Sequence, residues 1–314
     1  MKRFLVALAV LAVLVPIAVA QAAPVQEFSF QLKDVKKDGR FTVVFTSRSY
    51  DTTGGQPPDL TENFIRLPKA GVMAPQVRKK KFYCSADQLI KDLQTHPVQG
   101  KTFASRVDNL TPFIKVLKKS KLAGDKKALK NAEACKLSRL GQGTVQVDAR
   151  PLINDLIPAV FFMFFGKGTV PGSLGTLQIV GMPDETSSIV KGLPATVQQT
   201  RVPAVANFVN DPTPDGKYGY KIVLPTGPIA GINVSFAELT AVTEGFSAVK
   251  KKKTCSKKRK GKCVKKKAKT TRTFWFKRPV CPPSGRLNFQ AFYGYNDPVP
   301  DSTKEIELPC PSFK

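Results

Sequence analysis

Few residues in this sequence can do chemistry, and their spacing narrows them further. The one histidine, His96, stands before Pro97 in a loop-like stretch, and no serine lies in a G-x-S-x-G elbow. A serine-type hydrolase would therefore lack both its base and its nucleophile turn. The six cysteines are Cys84, Cys135, Cys255, Cys263, Cys281 and Cys310. They include no C-x-x-C pair, so with a single histidine there is no ligand set for a metal. Gly166-Lys-Gly168 runs into Thr169-Val170 rather than the order of a phosphate-binding loop.

Carboxylates remain. Asp148, Asp155, Asp184, Glu185, Glu238 and Glu244 could supply the acid and base of a polysaccharide hydrolase, but no spacing marks a pair. Oxygen-rich stretches at Asp211, Asp215 and Gly216, and at Asp51, Asp59, Glu62 and Asn63, depart from calcium-loop order and read as turns. The expectation is a non-catalytic protein without cofactor or metal.

The densest chemistry is electrostatic. Residues 250–272 read KKKKTCSKKRKGKCVKKKAKTTR, with fourteen Lys or Arg, no acid and two cysteines, in a chain of net charge +27. Charge concentrated in this way makes a local field rather than a general excess. Lys250, Lys251, Lys252, Lys253, Lys257, Lys258, Arg259, Lys260, Lys262, Lys265, Lys266 and Lys267 are the candidate contacts. Lysine offers point charges rather than bidentate forks, which suits an anionic polymer, an acidic polysaccharide or an anionic membrane surface. Aromatic residues do not interleave the block, so sequence-specific nucleic-acid recognition is not expected. The bland alternative is a solvated loop that only raises solubility. Two smaller clusters, Arg78–Lys81 and Lys118–Lys130, read as solvated faces.

The compartment follows from the first residues. Lys2 and Arg3 precede an apolar run from Phe4 to Ala20, and Ala20-Gln-Ala22 has the small-residue spacing of a cleavage site. Residues 1–22 therefore read as a signal peptide, and the protein as secreted or cell-surface. No later apolar stretch has the length of a transmembrane helix. Six cysteines in an exported chain imply disulfides, and local geometry favours Cys84–Cys135, Cys255–Cys263 and Cys281–Cys310.

Strand periodicity dominates the remainder. Phe28, Phe30 and Leu32, then Phe41, Val43 and Phe45, alternate with mostly polar neighbours and predict a hairpin over 26–48. Further strands are expected at 63–67, 144–147, 159–165, 177–180, 204–210, 218–224, 233–239, 246–250, 274–276, 286–293 and 304–308. Residues 159–165 are apolar on both faces, as in a strand covered on both sides. Alternation places Phe289, Ala291, Tyr293 and Tyr295 on one face, which reads as core rather than a carbohydrate platform.

Between 85 and 140 the period becomes helical. Ser85–Gln88 has capping-box spacing, Thr111-Pro112 fits an N-cap and first-turn proline, and Asp125 fits a cap for a third helix carrying Cys135 inward. The fold class expected is mainly β: a β-sandwich with a small disulfide-stapled helical insert (85–140) and a lysine-rich hairpin arm (250–272). Residues 23–314 would form one unit, with a split near 145 as the alternative. The function expected is exported, non-catalytic binding or adhesion to anionic envelope polymers or surfaces. A carboxylate-based hydrolase and a structural protein with incidental charge are the alternatives.

Overall fold

Alternating side chains require a curved surface with one apolar face, and the chain closes that surface on itself. In a computed structural model of the protein, the structure describes residues 24–34, 41–51, 55–69, 80–150, 153–226, 235–244, 246–259, 262–274, 281–296 and 299–311. Of residues 80, 235–236, 244, 246–259 and 262–274 it describes the backbone alone. The signal-peptide expectation and residues 35–40 of the expected 26–48 hairpin lie outside the described residues.

The strands are β1 (Val25–Lys33), β2 (Thr42–Tyr50), β3 (Leu60–Pro68), β4 (Arg139–Asp148), β5 (Ile157–Gly166), β6 (Ser173–Pro183), β7 (Val202–Asn210), β8 (Tyr218–Val223), β9 (Ser235–Glu244), β10 (Phe246–Arg259), β11 (Lys262–Phe274), β12 (Arg286–Tyr295) and β13 (Ser302–Pro309). Eleven of them make one antiparallel sheet in the order β1-β2-β9-β4-β5-β6-β7-β8-β3-β12-β13, and β10 pairs with β11 alone. The edge strands β1 and β13 come together, so the sheet is a nearly closed barrel.

The mainly β class agrees with the sequence, whereas two stacked sheets are not what the strand order shows. Half-buried alternation looks the same in a sandwich and a barrel, and only strand order separates them. A cut near residue 145 would fall inside β4, which hydrogen-bonds to both β5 and β9.

Inward and outward residues segregate along β1. Gln26, Phe30 and Leu32 face the interior, while Glu27, Ser29, Gln31 and Lys33 are exposed. Among the described residues no ladder joins β1 to β13. Side chains close the seam instead: the Phe30 and Phe289 rings stack at 3.8 Å, and Ile306 and Leu308 of β13 pack against the same cluster.

β5 and β6 are covered on their outer face by the helical insert. It comprises a short 3-10 turn at Lys80–Phe82, then α1 (Ala86–Thr95), α2 (Phe103–Asp108), α3 (Thr111–Lys119) and α4 (Ala123–Ser138). Phe162 and Phe164 of β5 and Val180 and Met182 of β6 pack among Leu89, Leu93, Phe103, Phe113 and Leu117 of the helices. Phe161, Met163 and Phe165, one residue out of phase, belong to the inner cluster. The run 159–165 is thus apolar because it has two cores to fill.

Ser85 caps α1 as its spacing predicts, accepting from the Gln88 N–H at 3.3 Å. Two capping expectations need correction. Leu110, not Thr111, is the residue before α3, which puts Pro112 inside the first turn. Asp125 lies within the first turn of α4 rather than at its N-cap, and its Oδ1 sits 3.1 Å from His96 Nε2.

The insert is tied to the barrel by Cys84–Cys135, with Cα atoms 4.5 Å apart, and by the Ala86 N–H donating to Gln178 Oε1 of β6 at 3.1 Å. Cys281–Cys310 joins the segment before β12 to the end of β13. Two further helices, α5 (Ser188–Gly192) and α6 (Ala195–Gln198), lie between β6 and β7. With α2, they were not legible as periodic segments, being too short to show a helical period.

Phe164 has no exposed surface and bridges sheet and helices. Phe164→Ala is expected to cost about 3–5 kcal/mol of unfolding free energy, read as a shift of the urea midpoint. A loss below about 1 kcal/mol would mean that the insert does not depend on this contact.

Candidate functional site

An eleven-stranded barrel is wider than the eight-stranded barrels that side chains can fill, so space is left in its middle. Two apolar chambers occupy that space, of about 200 and about 260 Å3. Phe45, Ile65, Phe161, Ile179, Leu224 and Leu239 line both, which makes them neighbouring parts of one lumen. Close-packed interiors have few voids larger than a water molecule, and an apolar cavity of about 150 Å3 is already enough to take up benzene. Among the described residues no charged side chain lines either chamber.

The first chamber ends near Leu32, Phe41, Leu140, Thr243 and Leu287. The second ends where Gln26, Ser49 and Ala149 meet Val197 and Thr200 of the α5–α6 region. Among the described residues, hydrogen-bonded polar side chains gather in this second chamber. Ser47 Oγ and Tyr293 OH are 2.9 Å apart, Gln26 Nε2 donates to Ser49 Oγ at 2.7 Å, and Gln26 also bonds Tyr295 OH. Burial raises the phenols of Tyr293 and Tyr295, the latter to about 12, so both stay neutral hydrogen-bonding groups. Sequence reasoning placed Phe289, Ala291, Tyr293 and Tyr295 on one face, and all four are buried. It did not see the lumen, because wall residues and core residues have the same alternation.

The basic block forms a two-stranded antiparallel ribbon. Lys252 stands opposite Lys269, Lys257 opposite Lys265 and Arg259 opposite Lys262. Lys250, Lys251 and Lys253 pair with Thr271, Thr270 and Ala268, and Lys266 and Lys267 with Cys255 and Thr254. Lys258 lies opposite Cys263, and Lys260 lies outside the described residues. The expected Cys255–Cys263 bond concerns side chains outside the described residues. β10 passes α4 and β4. The flanking strands β9 and β12 contribute Thr243 and Leu287 to the end of the first chamber, so the ribbon is rooted at that rim.

Asp148, Asp184, Glu185 and Glu238 are each held by a partner of their own, and the side chain of Glu244 lies outside the described residues. Asp148 bonds Arg150, Glu185 lies 2.6 Å from Arg201, and Glu238 lies 3.1 Å from Arg48. Asp184 accepts from Thr186 of its own turn. Asp211 pairs with Arg66 at 2.6 Å, and Asp215 bonds Thr213 and the Lys217 N–H. Asp184 and Asp215 serve their own turns, whereas Glu238 and Asp211 tie their segments to β2 and β3. Among the described residues no group of three or more His, Cys, Asp or Glu is arranged to hold a metal ion.

The geometry defines a β-barrel with an apolar lumen and a cationic ribbon at one rim. Comparison with known proteins adds no name: no family model, no curated relative and no solved structure matches the chain.

The second chamber's rim has an acid-sensitive tie. Burial would raise the Asp148 carboxyl, but hydrogen bonds from the Arg150 side chain and backbone outweigh it and hold the carboxyl below its ordinary value. Arg150 also donates to the Gly55 carbonyl at 2.9 Å, fixing the segment before β3 to the rim. A depressed carboxyl stabilises the fold above its unfolded pKa and loses that contribution as pH falls through the folded value. Urea midpoints are expected to drop as pH goes from 5 toward 3, and to drop less in Asp148→Asn. An equal drop in both proteins would place the acid sensitivity elsewhere.

Proposed function

We propose that the protein is an exported, non-catalytic binder of aliphatic, lipid-like molecules, held in the barrel lumen. The observation that carries this reading is the uncharged, hydrocarbon-lined lumen, whose two chambers exceed what a close-packed core leaves empty. Export rests on the leader read from the sequence and agrees with the two disulfides, which persist in oxidising compartments. The exposed Glu27, Gln31 and Lys33 on the outside of β1 favour a water-facing barrel, the inverse of the apolar-out pattern of outer-membrane barrels.

Each methylene moved from water into such a lumen is worth about 0.8 kcal/mol, or about fourfold in affinity. Displacement of a polarity-sensitive dye by alcohols of rising chain length is expected to tighten by about that factor per carbon until the lumen is full. Ile179 lines both chambers, and Ile179→Trp is expected to remove binding while the protein stays folded. Affinity that does not respond to chain length, or binding that survives Ile179→Trp unchanged, would sink the reading.

The ribbon favours a second role, attachment to an anionic surface. Fourteen Lys or Arg fall within residues 250–272 without an acid, and each Lys or Arg near an anionic membrane contributes about 1 kcal/mol, screened by salt. Sedimentation with anionic vesicles and with an acidic polysaccharide is expected to fall steeply as salt rises. It is expected to vanish when the lysines of 250–267 are changed to glutamine. Equal, weak binding by both proteins would make the block a solubility device.

A further inference from the structure

The lumen contains one polar side chain that the fold leaves half-used. Gln26 is 3% exposed and lines the second chamber, and its amide nitrogen is occupied by Ser49 and Tyr295. Its Oε1 is buried and has no hydrogen-bond partner. An unpaired buried carbonyl is costly, and native proteins satisfy nearly all such atoms with protein, water or ligand. The amide's two ends look alike to the chain, and the choice between them rests on the hydrogen-bond network. Turned round, the carbonyl would accept from the two hydroxyls, and the NH2 would then be the unpaired group. In either orientation one end of the amide is left for something else.

From this we infer that the second chamber is the head-group end of the lumen, and that the ligand's polar head is a neutral hydroxyl bonded to the Gln26 amide. The inference rests on the lumen reading above and narrows it. A hydroxyl both donates and accepts, so it satisfies Gln26 in either orientation, whereas an ether oxygen satisfies only one. A carboxylate or phosphate is disfavoured, because no cation among the described residues lines either chamber and a buried unpaired charge is far more costly than a buried hydroxyl. Ser47 and Tyr293, 2.9 Å apart on the same chamber wall, are placed to add a second contact. The aliphatic tail then extends past Phe161 and Ile179 into the first chamber, where the lining is hydrocarbon apart from Thr243.

The test is dye displacement from the full chain by 1-decanol, decyl methyl ether and decanoate. The wild-type protein is expected to prefer decanol over the ether by about fivefold, the worth of one ordinary hydrogen bond, and to bind decanoate at pH 8 more weakly still. Gln26→Met, which keeps length and volume, is expected to bind both neutral ligands and to lose the preference. Should that variant not fold, the Gln26 side-chain carbonyl 13C resonance of the wild type replaces it. The resonance is expected to move with decanol and not with the ether. Equal affinity for the two neutral ligands, with binding intact, overturns the head-group assignment and leaves the lumen reading standing. Tighter binding of decanoate overturns the neutral head. Failure of all three ligands to displace the dye overturns the lumen reading itself.

Discussion

Closing an eleven-stranded sheet on itself is the constraint on which the rest of this structure depends. The circumference is set by the number of strands, and inward side chains reach only so far from a wall. Large residues are used where the wall can be filled: Phe30, Phe45, Phe161, Phe165, Phe208 and Phe289 all point inward. They narrow the lumen without filling it. A smaller barrel with these residues would be a solid core, so the empty volume follows from strand count as much as from side-chain choice.

Two further features follow from the same closure. A closed sheet has few free edges, which removes a route to aggregation, yet here the last joint, between β1 and β13, carries no ladder among the described residues. Aromatic and aliphatic side chains hold it on the inside. Glu27 and Lys33 on β1 and Lys304, Glu305 and Glu307 on β13 keep the outside charged. Among the described residues the seam is held by side-chain contacts rather than by a backbone ladder. At the opposite side of the ring, β5 and β6 are covered by the helical insert, which its disulfide staples.

Local structure was legible in this sequence because alternation, caps and turn residues are local signals. Phe28-Ser-Phe-Gln-Leu32 announces β1, and Ser85 announces α1. The double-sided apolar run 159–165 announces a strand between two cores, and the Cys84–Cys135 pairing follows from where the helical period places Cys135. Topology was not legible. Nothing local records that β2 pairs with β9, nearly two hundred residues away, or that β3 sits between β8 and β12. The sandwich expectation turned on that long-range fact alone, and the single eleven-stranded order does not confirm it. The lumen was hidden for a related reason: an inward Leu facing a void and an inward Leu facing another side chain have the same sequence context. Gln26 was the one available signal, a polar residue at an inward position of an otherwise apolar register, and it reads as noise until the strand is known to line a cavity.

The ribbon and the lumen belong together on physical grounds. Placing Lys252 opposite Lys269 and Arg259 opposite Lys262 destabilises a two-stranded sheet that lacks a third strand to support it. The repulsion is relieved where counter-charge is dense, as at an anionic membrane or polymer. The ribbon grows from the rim at which the first chamber ends, between β9 and β12, so a surface that captured it would bring that end of the lumen close. An aliphatic molecule leaving a membrane crosses water only at a steep cost per methylene, and a short path from surface to lumen reduces that crossing. Entry at this end would admit the ligand head first, carrying its polar group through the hydrocarbon chamber to Gln26, and would leave the tail nearest the rim. On the proposed reading, a barrel loaded in this way would keep its apolar tail nearest the rim from which the ribbon grows.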